Sequence, residues 1–197
     1  MVKSKEDVVQ EFRVQSIQDA AMRVIARRGI TAATMQEIAE EAGVAKGTIY
    51  LYFKDRDELV DKTFERAITE LLQRIDAALA TAGTFEQKLR ASLEAKFSFF
   101  QEHREFFRLY HSLRYPEGKR RTQQQYDTQL ARMAAMLDDA MKGGEIRRMD
   151  SKRLALITTE AISAVIIRRV VEENPPPVSA DIDLLMDTIL DGIRSRS

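Results

Sequence analysis

The chain has no cysteine among its 197 residues, and that absence removes a disulfide framework, a thiol nucleophile and every Cys-ligated metal site. It also has no excess of charge. Lys and Arg total 31 against 31 Asp and Glu, so a net charge of zero and a pI near 6.8 give no sign of a polyanionic partner. Histidine is nearly missing: His103 and His111 are the two present, and their spacing puts them about 80° out of phase on a helix. No Glu-x-x-His pair accompanies them, which excludes the usual di-iron bundle pattern, so no metal and no cofactor is expected. Long apolar runs are lacking as well. Residues 1–10 mix Lys3, Lys5, Glu6 and Asp7 with isolated apolar side chains, unlike the core of a signal peptide. The run from Ala164 to Ile167 closes on Arg168 and Arg169, far short of the roughly 20 residues that span a bilayer. The expectation is a cytoplasmic protein with no membrane partner.

What the chain does have is a 44% hydrophobic composition, enough for a real core, arranged at spacings of three and four with no strand-hairpin pattern. This predicts an all-α fold of about nine helices. The first begins near Asp7, buries Ile17, Ala20, Ala21, Val24 and Ile25, and stops at Gly29. Thr34 and Glu37 are spaced as a capping box for a short helix carrying Met35, Ile38, Ala39 and Ala42, closed by Gly43. A second short helix is expected over residues 45–53. Asp55 with Glu58 then opens a long helix to about Leu79.

Farther on, Thr84 with Gln87 caps a helix to about Gln101, followed by a short aromatic helix with Phe106, Phe107, Tyr110 and Leu113. Helices over about 120–141, from Asp150 or Ser151 to the prolines at 175–177, and over about 179–194 complete the chain. The expected division is a helix-turn-helix domain at 1–54 and a helical ligand-binding and dimerisation domain at 55–197.

Two short helices joined by the tight turn Gly43-Val44 fit the helix-turn-helix template. Ile49 and Phe53 lie four apart and must face the first two helices. That leaves Lys46, Gly47, Thr48, Tyr50 and Leu51 on the outward arc, and an exposed Tyr and Leu on so short a helix point to a partner surface. Lys, Thr and Tyr suit phosphate contacts, Gly47 permits close backbone approach, and Leu51 matches a thymine methyl in the major groove. Residues 1–60 hold nine Lys or Arg against ten Asp or Glu, which argues against DNA until position is considered. Glu37, Glu40 and Glu41 belong to the supporting helix, whereas Lys46 and Lys54 flank the outward face.

The run TMQEIAEEAGVAKGTIYLYFKDRDEL, residues 34–59, strongly resembles the DNA-binding signature of the tetracycline-repressor-like (TetR) family. The resemblance covers about the first 60 residues. It implies a three-helix DNA-binding unit, a long fourth helix leading into a divergent ligand domain, and a homodimer built from the last two helices. It assigns Thr34 to a phosphate-binding helix start and Lys46, Gly47, Thr48, Tyr50, Tyr52 and Lys54 to the DNA face. Two positions depart from the family pattern: Ala45 replaces a frequent Ser, which removes a side-chain cap worth about 1 kcal/mol, and Arg56 replaces a usual Lys. The function implied is a repressor on a palindromic operator in double-stranded DNA, released by a small-molecule effector.

Other features are less specific. Phe97, Phe100, Phe107, Tyr110, Tyr126 and Met133, with His111 as a hydrogen-bonder, are candidates to line a pocket for a hydrophobic or aromatic effector; the same spacing also fits ordinary core. Arg114, Lys119, Arg120 and Arg121 read as a solvated helix start or an anion-recognising cluster. Thr158, Thr159, Ala161, Ser163 and Ala164 are small enough for close helix approach across a two-fold axis. A competing reading is a helical scaffold whose helix-turn-helix packs on protein, without salt-dependent DNA affinity. An enzyme is disfavoured by the lack of a thiol, a metal-ligand cluster, a glycine-rich phosphate loop and a convincing base.

Overall fold

The computed structural model describes residues 4–108 and 119–193, with side chains for all of these except 119–125. Among the described residues the regular structure is α-helical, as the spacing predicts. The helices are α1 (Lys5–Arg28), α2 (Met35–Ala42), α3 (Lys46–Tyr50), α4 (Arg56–Leu79), α5 (Phe85–Glu102), a helical stretch described over 104–108 (α6), α7 (Lys119–Lys142), α8 (Ser151–Val171) and α9 (Val178–Ile193). None of them is long and apolar enough to cross a membrane.

Local chemistry explains most boundaries. The α1 helix starts two residues before the expected Asp7, because Ser4 and Asp7 form a capping box: Ser4 Oγ accepts from Asp7 N at 3.1 Å and Asp7 Oδ2 accepts from Ser4 N at 3.0 Å. Gly29 (φ 87°) and Gly43 (φ 68°) end α1 and α2 in backbone conformations that disfavour a Cβ. The α3 helix is shorter than the predicted 45–53. The N–H groups of Tyr52 and Phe53 both reach Ile49 O at 3.0 Å, tightening the chain into a turn before α4. At the start of α4, Glu58 N donates to Asp55 Oδ1 at 2.8 Å, but the Glu58 carboxylate accepts from Lys54 N at 2.7 Å, one residue upstream of the usual reciprocal partner.

The chain divides into two compact units, Met1–Glu70 with Glu105–Ser112, and Leu71–Arg104 with Leu113–Ser197. In the first, α1 packs on α2 and α2 on α3 around Ile17, Ile25, Ile38, Ile49 and Leu59, all without solvent exposure. Phe64 and Phe107 meet edge to face at 5.7 Å, and Phe107 meets Phe106 in the same manner at 5.6 Å.

In the second unit α7 lies along α8, and α5 packs on both α8 and α9 over Leu89, Leu93, Phe97, Leu137 and Ile162. The α8 helix begins at Asp150, whose Oδ1 accepts from Lys152 N and Arg153 N at 3.1 Å each. At its other end Arg169 Nη1 meets Asp181 Oδ2 at 2.6 Å and Pro176 O at 2.6 Å, locking the α8–α9 connection. The Arg169 and Asp181 side chains are only 13% and 15% exposed. Asp181→Ala would leave a mostly buried guanidinium without its counter-charge; we expect a loss of about 3 kcal/mol in a urea unfolding curve.

Candidate nucleic-acid interface

The outward surface of α3 follows from what the helix must bury. Ile49 is completely enclosed and Phe53 nearly so, and these two anchors turn the intervening side chains away from α1 and α2. Leu51 is 78% exposed and Tyr50 48% exposed, while Lys46, Gly47 and Lys54 are exposed and Thr48 and Tyr52 half-buried. The structure thus brings Lys46, Gly47, Thr48, Tyr50, Leu51, Tyr52 and Lys54 together on one short stretch of the first unit. Lys46 makes no hydrogen bond or ion pair with the described residues. Lys54 Nζ lies 3.7 Å from Asp55 Oδ2.

Gly47 has no conformational reason to be glycine. A methyl group placed there meets nothing within 4 Å, and its backbone is helical. Glycine inside a helix costs about 0.5–1 kcal/mol relative to alanine, so the missing side chain makes sense for something that approaches from outside. The start of the same helix is poorly held. Ala45 provides no side-chain cap, and Thr48 N reaches Ala45 O at 2.8 Å instead.

Thr34, at the start of α2, is exposed, and its hydroxyl is already engaged. Its Oγ1 accepts from Glu37 N at 3.1 Å and donates to Glu37 Oε2 at 3.0 Å, while Thr34 N donates to the same carboxylate at 3.1 Å. The first-turn N–H groups of Met35 and Gln36 have no acceptor among the described residues, as is usual for the first turn of a helix.

Two acidic residues of α2, Glu37 and Glu41, are tied to α1, while Glu40 accepts from Gln36 of its own helix at 2.8 Å. Glu41 receives Arg23 Nε at 2.7 Å and Arg27 Nη2 at 2.6 Å, and Arg28 Nε stands 3.2 Å from Glu37 Oε1. Hydrogen bonds from Arg23 and Arg27 hold the Glu41 carboxyl below its ordinary value, and those from Thr34, backbone first, do the same for Glu37. Sequence reasoning did not foresee the role of Arg56, whose Nη1 donates to Thr31 O at 3.0 Å and fastens the start of α4 to the loop before α2. The lysine usual in the family has no planar fork for such a contact.

The effector candidates are less coherent. Phe97, Phe100, Tyr126 and Met133 fall in the second unit, Phe107 in the first, and Tyr110 and His111 lie outside the described residues. Phe97, Met133 and Phe107 are buried. Tyr126 donates its hydroxyl proton to Glu160 Oε1, and that bond pushes the phenol up to about 12.

Comparison with known proteins agrees with this geometry. Residues 17–63, from the first fully buried isoleucine of α1 to the second turn of α4, match the family described as bacterial regulatory proteins, tetR family. Over 172 residues the chain is 26% identical to the uncharacterized HTH-type transcriptional regulator YhgD of Bacillus subtilis (strain 168), spanning 86% of this chain and 89% of that protein. The crystal structure of a TetR-like transcriptional regulator from Rhodococcus sp. RHA1 superposes with a TM-score of 0.70 at 26% identity, covering 91% of this chain and 94% of that one. The fold is also that of a transcriptional regulator FadR from Bacillus subtilis in complex with stearoyl-CoA, with a TM-score of 0.76 at 23% identity over 91% of this chain and 99% of that one.

Two measurements check the electrostatics and the cap. Glu37 and Glu41 have lowered values, so the stability they contribute is complete above their ordinary 4.5 and disappears as pH falls through the depressed folded values. Thermal melting of the wild type should therefore drop more steeply below pH 4.5 than that of a Glu37→Gln/Glu41→Gln variant. Ala45→Ser should raise stability by about 1 kcal/mol by supplying the absent cap of α3, read from the denaturation midpoint.

Proposed function

We propose that this chain is a tetR-family regulator, in keeping with the match of its residues 17–63 to that family and with the fold it shares with a TetR-like regulator over 91% of its length, and that it acts as a homodimeric, ligand-responsive repressor of a palindromic operator. The observation that carries the reading is the surface of α3: an exposed lysine with no ion pair among the described residues, a glycine open to approach, and a tyrosine and leucine left in water by the burial of Ile49 and Phe53. Residues 1–54 form the DNA-binding domain and 55–197 the ligand-binding and dimerisation domain. In the major groove, Lys46, Thr48, Tyr50, Tyr52 and Lys54 serve phosphates and base edges, Leu51 serves a thymine methyl, and the start of α2 at Thr34 receives a phosphate through its backbone.

Dimerisation through the last two helices has its own support. The inner side of α8 buries Leu154, Ala155, Ile162, Ile166 and Val170, and its outward side exposes apolar residues as well. Leu156, Ile157, Ala164, Ile167 and Val171 share an arc of about 100° that also holds Arg153 and Glu160, and Ile157 is 66% exposed. On α9, Leu184 is 64% exposed. A helix that exposes apolar residues opposite its buried side suits a second copy of the same surface across a two-fold axis.

The effector is proposed to be a small molecule with a hydrophobic or aromatic body, in keeping with the buried Phe97 and Met133 and with the stearoyl-CoA held by the FadR neighbour. Its binding shifts the population away from the DNA-competent arrangement by way of α4, whose residues up to Glu70 group with the first unit and whose later turns group with the second.

The test is a titration of labelled DNA from upstream of the protein's own gene at two salt concentrations. A specific complex that weakens as salt rises supports the proposal; equal, weak affinity for random DNA defeats it. Tyr50→Ala should weaken that complex by about 1–3 kcal/mol without unfolding the protein. Gly47→Ala should separate folding from binding, raising thermal stability while lowering operator affinity.

A further inference from the structure

Outside the DNA-facing surface, the second unit contains a cavity of about 160 Å³ where the end of α5 meets the end of α8. Phe100, Val170 and Pro175 form its apolar walls, Gln101 adds an amide, and Arg104 and Arg169 add two guanidiniums. Both arginines are held in place, and both keep N–H groups in reserve. Arg104 donates from Nε to Val170 O at 3.3 Å and from Nη2 to Glu172 O, leaving Nη1 without an acceptor among the described residues. Arg169 uses Nη1 for both Asp181 and Pro176, leaving Nε and Nη2. A guanidinium has five N–H donors in a fixed fork, a geometry that matches a carboxylate.

The nearby carboxylates do not cancel this charge. Asp181 is committed to Arg169, Glu172 lies 3.5 Å from Arg168, and Glu102 is bonded to Arg74 at 2.8 Å and to Ser98 at 3.1 Å. One helical turn before Phe100, the half-buried Lys96 makes no ion pair or hydrogen bond with the described residues, and burial lowers its ammonium to about 8. The volume is below the 300 Å³ or so typical of drug-sized ligands, so the occupant is small.

The geometry points to a receptor site for a small amphipathic carboxylate, its anionic group forked between Arg104 and Arg169 and its apolar body against Phe100, Val170 and Pro175. A carboxylate there is held by the same guanidinium that binds the last carbonyls of α8, so the ligand acts on the end of the helix with the outward apolar residues. For its regulatory meaning this inference rests on the effector-responsive reading above, and it narrows the effector to an anion.

The experiment is calorimetric titration of the full chain with benzoate and with its neutral isostere benzamide, alongside the operator titration. Benzoate should saturate, with benzamide at least about tenfold weaker, the loss of one charge-assisted hydrogen bond. Arg104→Gln, which keeps a neutral donor for the α8 carbonyls, should weaken benzoate by a similar factor at an unchanged melting profile. Val170→Phe, which fills the cavity and spares both guanidiniums, should abolish uptake and leave operator binding intact. Equal binding of benzoate and benzamide, wild-type uptake by Val170→Phe, or no saturation at millimolar benzoate overturns the inference. Operator binding without benzoate uptake sinks this site and leaves the regulator standing; benzoate uptake without operator binding does the reverse.

Discussion

The burial of two side chains four residues apart governs the first unit. With Ile49 enclosed against α1 and α2 and Phe53 closing the turn behind it, the residues between and before them have nowhere to go but outward. The consequence is unfavourable for an isolated protein, since a leucine and a tyrosine stand in water beside an exposed lysine and a glycine that weakens its own helix. Nothing in the packing of the unit asks for these residues. A second surface that fits against them accounts for all four at once.

Charge is organised in the same spirit. A chain with zero net charge looks ill suited to a polyanion, but its acidic groups are not distributed like its basic ones. Glu37 and Glu41 of α2 turn back to Arg23, Arg27 and Arg28 of α1, where they clamp the two helices, and Glu40 is engaged by Gln36 of its own helix. Total charge is a sum over the whole surface, whereas a docking partner meets only one part of it.

Much of the fold could be read from the residues because short-range chemistry sets it. The Thr34/Glu37 and Thr84/Gln87 boxes are where the spacing puts them, and Gly29 and Gly43 stop their helices through a backbone conformation that few other residues adopt. The Ser4/Asp7 box uses an aspartate where Glu or Gln is customary, which is why α1 begins earlier than its apolar stripe indicates. What was hidden depends on distance along the chain. Arg56 reaching Thr31, and Arg104 reaching the carbonyl ends of α8, join residues 25 and up to 68 positions apart. No local pattern announces such pairs. The aromatic residues from Phe97 onward are hard to assign for a related reason: a stripe of rings specifies burial, but not which neighbours share it.

The brevity of α3 has an implication for how this surface tolerates change. Five residues with no side-chain cap cannot hold a helical turn by themselves, so the shape offered at Lys46–Tyr50 is borrowed from α1, α2 and the first turn of α4. Geometry at the outside is then inherited from the interior. Alterations at Ile17, Ala21 or Ile38, none of which can touch a partner, reach the reading surface as a change of tilt, so damage to recognition is spread over the hydrophobic centre as widely as over the exposed face.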